Sequence, residues 1–98
     1  MKLRIGCSTY EFKKVKRTFD IEHYGVVNPD LKKIVIYNSN NQEMNDQSVW
    51  HEVVHAILYE IQREDLSNNE DFVEIFSKHI HAFLKDNNLE KIYKNEFK

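Results

Sequence analysis

The stretch from Ser48 to Gln62 constrains this chain more than any other, because its pattern reads as an amphipathic helix with His-Glu-Val-Val-His on the polar side. Wound as an α-helix, Ser48, His51, Glu52, His55, Tyr59 and Gln62 fall in one sector, and Val49, Trp50, Val53, Val54, Ile57, Leu58 and Ile61 lie opposite. The apolar back predicts that Trp50, Val53, Ile57 and Ile61 pack into a core. The polar front is then left to face a cleft.

Residues i and i+4 of a helix stand one turn apart on one face, so His51 and His55 can turn their imidazoles on a single metal ion. Glu52 lies beside them. A carboxylate there can take the proton of a water that attacks a peptide carbonyl, and then hand it to the leaving amine. Zinc suits this donor set, since it brings the pKa of its water to about 7. The alternative is two ordinary polar positions on an amphipathic helix, a pattern that chance produces in a chain with five histidines.

A zinc site of this kind needs a third protein ligand and one open position. After a break at Asp65 to Asn68, the run from Asn69 to Phe76 starts a second helix, with Glu70 and Glu74 one turn apart on one face. Phe72, Val73, Phe76, Ile80, Phe83 and Leu84 form its apolar side. A metal-free reading of the same residues exists: Ser67 and Glu70 have the spacing of a capping box.

His51-Glu52-Val53-Val54-His55, followed by Asn69-Glu70 and then Glu74, resembles the gluzincin metallopeptidase signature, in which HExxH is completed by NExxxD. The resemblance implies that Glu70 is the third zinc ligand. It also implies that Glu74 stands where the family has an aspartate that orients the first histidine, a departure of one methylene. More loosely, Tyr24-Gly25, the strand Ile34 to Tyr37 and the HExxH helix together resemble the very small gluzincins of phage and prophage genomes. From these likenesses follow a peptidase activity, Glu52 as general base and acid, and a protein or peptide substrate lying along an edge strand, for which Ile34 to Tyr37 is the candidate. Peptide hydrolysis also needs a donor for the developing oxyanion. Tyr59, one turn after His55, is the first candidate, with His23 and Tyr24 as alternatives.

The other histidines do not extend the site. His81 shares a face with Glu70 but lies eleven residues on, roughly 16 Å along a helix, too far for the same ion. His79 falls toward the apolar side, where a hydrogen-bonded structural role is expected.

Ninety-eight residues predict one domain, 1–98, with a single modest core. Fourteen basic and sixteen acidic residues give a net charge of −2, which does not favour nucleic acid. The basic cluster Lys13, Lys14, Lys16 and Arg17 reads as a solvated strand end or turn. No apolar run reaches the roughly 20 residues of a membrane span, and the N-terminus lacks the hydrophobic stretch of a secretory signal, so an intracellular protein is expected. The lone Cys7 cannot form an internal disulfide and, alternating with Leu3 and Ile5, reads as a packed strand residue.

Strands are expected over Lys2 to Ser8 and Tyr10 to Val15. Tyr24 to Val27 and Lys33 to Tyr37 should form a hairpin about Asn28-Pro29-Asp30. Ser39 to Asn45 reads as a polar loop, with Asn45 or Asp46 available to cap the first helix. A short helix through Leu89, Ile92 and Tyr93 is expected within Asn87 to Lys98. The architecture so predicted is α+β, a small twisted antiparallel sheet packed on two zinc-bearing helices. A different class of function fits the same residues: a non-catalytic, zinc-stabilised module of phage type that captures a protein partner.

Overall fold

A computed structural model describes residues 1–95. Strands β1 (Lys2–Ile5), β2 (Ser8–Lys16), β3 (Gly25–Asn28) and β4 (Lys33–Asn38) form one sheet in the order β1-β2-β4-β3. Helices α1 (Gln42–Glu60), α2 (Glu64–Ser67), α3 (Glu70–Asp86) and α4 (Leu89–Tyr93) follow. The α+β class is as expected, but the wholly antiparallel sheet is not. β1–β2 and β3–β4 pair antiparallel, whereas β2 and β4 run parallel from Glu11 opposite Lys33 to Lys16 opposite Asn38.

Burial explains the order. Ile34 and Ile36 of β4 are fully buried, while β3 offers Gly25, an exposed Val26 and an exposed Asn28. The better-buried strand takes the centre and the hairpin swings β3 to the rim, so the connection from β2 crosses over and β4 meets β2 in parallel. Ile34 to Tyr37 is therefore not an edge strand. The edge beside the helices is β3.

The hairpin turn forms as its residues suggest: Asn28 Oδ1 accepts the Asp30 and Leu31 amides at 3.1 and 3.0 Å. β1 ends at Ile5 rather than Ser8, because Gly6, at φ 61°, and Cys7 make the tight turn into β2. Cys7 is consequently exposed at that turn and does not pack within a strand.

α1 starts earlier than expected. Asn41, not Asn45 or Asp46, caps it, its side chain accepting the Met44 amide at 3.1 Å. Asn45 instead ties the preceding loop to the helix, its Oδ1 accepting the Ser39 amide at 2.7 Å. The expected apolar back also needs correction. Ala56 joins Ile5, Tyr10, Phe12, Ile34 and Ile36 in the sheet-side core, while Val54 and Leu58 pack with Val73 of α3. The helix is thus held between two partners on opposite sides, which leaves Trp50 and Val53 half-buried and exposes Ile57 and Ile61.

The break after α1 contains α2, which puts Ser67 inside a helical turn and rules out the capping role of the metal-free reading. Asn69 caps α3, accepting the Phe72 amide at 3.1 Å. α3 returns along α1 with Val73, Ser77 and His81 buried, so Phe76 and Phe83, expected on the packed side, remain exposed. α4 carries Leu89, Ile92 and Tyr93 as expected; the rest of the expected tail helix, residues 96–98, lies outside the described residues. No helix among the described residues is long and apolar enough to cross a membrane.

Candidate metal centre

α1 and the first turn of α3 bring His51, His55 and Glu70 together, with one ligand atom from each lying within 4.8 Å of the others. His51 Nε2 is 3.3 Å from Glu70 Oε2, and His55 Nε2 is 3.1 Å from Glu70 Oε1. Donors bound tetrahedrally to one zinc at about 2.0–2.1 Å sit about 3.4 Å apart. The two spacings, each to a different Glu70 oxygen, are close to such edges, so the three residues stand where one ion could be held by all of them.

The remaining imidazole nitrogens decide where those lone pairs point. His51 Nδ1 hydrogen-bonds Glu74 Oε2 at 2.9 Å, and His55 Nδ1 hydrogen-bonds Ser67 Oγ at 2.8 Å. Each contact fixes a ring so that its Nε2 faces Glu70. Glu74 reaches His51 in spite of its extra methylene. Burial works to raise the Glu74 carboxyl, but Lys78 at 3.1 Å and His51 outweigh it and hold it below its usual range. Burial also lowers the His55 imidazole, with Glu70 opposing; a neutral ring is the form that binds a metal.

Ser67 was missed as a partner of His55. Nothing in its local pattern points to the histidine, since the contact depends on α2 folding back beside α1. Ser67→Ala leaves His55 Nδ1 buried without its partner; if the three residues hold zinc, its affinity is expected to fall about 10–100-fold, as measured by competition with a coloured chelator.

Glu52 is 6 % exposed and stands beside the triad at the wall of the cleft. Its carboxyl is pushed up to about 7 by burial, with His51 lowering and Glu70 raising it, and no hydrogen bond contributes. Such a group is a proton acceptor with unoccupied lone pairs. β3 lies against it: a Cβ on Gly25 would sit 2.8 Å from Glu52 Cγ and 3.1 Å from Ile36 Cδ1. Only glycine lets the strand come this close. Gly25→Ala should therefore shift Glu52 while leaving His51, His55 and Glu70 in place; if Glu52 acts as a base at a zinc held there, turnover at constant zinc content is expected to fall by up to about 100-fold.

The raised Glu52 carboxyl has a consequence for the metal-free protein. Its pKa in the folded state exceeds the ordinary 4.5, so its contribution is fully present below that value and is lost as pH rises through about 7. His55, whose pKa is lowered, opposes this as pH falls toward its ordinary 6.5 and below. Between pH 8 and 6.5 the Glu52 carboxyl should therefore add about 0.8 kcal/mol to the chelated protein, partly offset by His55, and Glu52→Gln should remove that gain. Equal Tm slopes for the parent and Glu52→Gln over that interval would show that the carboxyl is not so perturbed.

The centre opens on a cleft of about 1100 Å³ between β3 and the two long helices. Tyr59 lines it, as do His23 and Tyr24, so all three expected oxyanion donors face the same space. The Tyr37 amide donates to the Tyr24 carbonyl at 2.9 Å. In the alternation of an antiparallel pair, Gly25 and Val27 then turn their N–H and C=O groups away from β4, to the open edge. His79 does not join a core: it is exposed, its Nδ1 donating to the Ile75 carbonyl at 2.9 Å.

No protein-family model matches this sequence, and no curated protein or solved structure shows significant similarity to it.

Proposed function

We propose that this protein is a zinc-dependent endopeptidase of gluzincin type, a reading that rests on the convergence of His51, His55 and Glu70 beside the buried Glu52. In it, His51 and His55 bind zinc through Nε2 and Glu70 through its carboxylate. Zinc, when bound, lowers the pKa of a water to about 7 and polarises a carbonyl.

The chain's own residues do the rest. Glu52 accepts the proton of the attacking water and delivers it to the amine that leaves when the peptide C–N bond breaks. Its burial serves this role, since a carboxylate drawn toward neutrality holds and releases a proton near neutral pH. Glu74 and Ser67 hold the two imidazoles in their tautomers. Tyr59 donates to the oxygen on which negative charge develops. The free edge of β3 pairs with the substrate backbone through Gly25 and Val27, which holds the peptide extended across the site. The exposed, unpaired Cys7 suits action in a reducing compartment.

Incubation of the zinc-loaded protein with an unfolded protein such as reduced casein tests the proposal. New N-termini that disappear with a chelator are expected. Retention of the chain without cleavage, equal for the parent and Glu52→Gln, would instead identify a partner-capturing module.

A further inference from the structure

The cleft continues past Glu74 along α1 and α3, and His81 lines it there. This histidine is only 9 % exposed. Its protonation pattern can be worked out from its neighbours. The Glu74 carbonyl can only accept, so Ser77 Oγ, at 3.2 Å, donates its single proton to it. Ser77 must then accept from Gln47 Nε2, at 3.0 Å, which turns Gln47 Oε1 toward His81. That oxygen too can only accept, so His81 Nδ1, at 3.0 Å, carries the proton. A neutral His81 therefore keeps a bare lone pair on Nε2, and no described residue hydrogen-bonds that atom. It is also not sealed in the interior, His81 standing between the cleft and a smaller hollow beside Asp46, Trp50 and Leu84.

Charge selects what such an acceptor would meet. Six carboxylates and two lysines line the cleft. Both lysines are already paired, Lys78 with Glu74 at 3.1 Å and Lys85 with Glu43 at 2.9 Å. A divalent ion on His51, His55 and Glu70 would still leave the lining net negative.

We propose that His81 is a specificity residue, accepting through Nε2 a hydrogen bond from a lysine or arginine side chain of a peptide in the cleft. The inference rests on the peptidase reading and adds to it a substrate class. His81 lies seven residues beyond Glu74 and eleven beyond Glu70, about 10 and 16 Å along the helix. An extended peptide rises about 3.3 Å per residue, which places the cation about three to five residues from the bond at the metal centre.

The test uses the zinc-loaded protein and peptides released from a whole proteome by a glutamate-specific protease, which leaves lysine and arginine in place. His81→Asn is the informative variant, because its amide can still donate to Gln47 while Nε2 is lost. Cleavage sites read by mass spectrometry should show lysine or arginine enriched at one position in the expected range. His81→Asn should cut those peptides about tenfold more slowly, with other peptides and zinc content unchanged. An enrichment that survives His81→Asn, or no cationic preference in the parent, overturns the proposal. If the parent cleaves nothing, the peptidase reading fails, and the same peptides are passed over the immobilised zinc-loaded protein. Retention of lysine- and arginine-bearing peptides that His81→Asn abolishes would sustain the His81 site without hydrolysis, and any other retention pattern would overturn it.

Discussion

Glu52→Gln is expected to lower peptide cleavage by about 10²–10⁴-fold while the protein keeps its zinc and its fold. Glutamine fills nearly the same volume, so the contact with Gly25 survives, but it cannot accept a proton. Among the described residues the buried carboxylate has no hydrogen-bonding partner, so its removal strands no donor and costs little stability. The expected result is therefore a separation of chemistry from structure. Cleavage should fall by that factor in a peptide assay, while metal content stays that of the parent and the melting temperature at pH 7 does not drop. A variant that still turned over at the parental rate would remove Glu52 from the mechanism.

Removal of the metal should have the second large effect. Without an ion, the Glu70 carboxylate faces the two imidazole Nε2 atoms, and Glu52 and Glu74 stand close by. On the proposed reading zinc would bind the folded arrangement and add a link between α1 and the start of α3, which also meet through Val54, Leu58 and Val73 and through the hydrogen bonds of Gln47 to Ser77 and His81. At free zinc a thousandfold above Kd the stabilisation is about 4 kcal/mol. For a domain of this size that corresponds to a Tm lower by about 15–30 °C in chelator. Glu70→Ala should melt near the chelated parent and gain little from added zinc, whereas Glu52→Gln should respond as the parent does. Equal melting curves with and without chelator would show that no metal supports the fold.

The parts of the site that were legible in the sequence are those fixed by short-range geometry. His51, Glu52 and His55 share a helix face through spacing alone, and Glu70 and Glu74 do so on α3. The fold brings the two sets together, and His51 Nδ1 meets Glu74. What stayed hidden depends on contacts between distant segments. The parallel pairing of β2 with β4 follows from a competition for the sheet centre that neither strand shows in its own alternation. The orientation of α1 was misjudged at Ile57 and Ile61 because a helix gripped from two sides has two buried arcs, and a single apolar stripe does not describe it. The expected edge strand was displaced by the same rearrangement that set Gly25 against Glu52. Ser67 and Gly25 have no local signature, since each matters only for what it touches across the fold.

Whether His51, His55 and Glu70 hold a metal is tested most directly by elemental analysis of the purified chain. One zinc per chain in the parent and in Glu52→Gln, and none in Glu70→Ala, is the expected result. A parent that holds no stoichiometric metal after exposure to zinc, or a Glu70→Ala variant that binds as much as the parent, would contradict it.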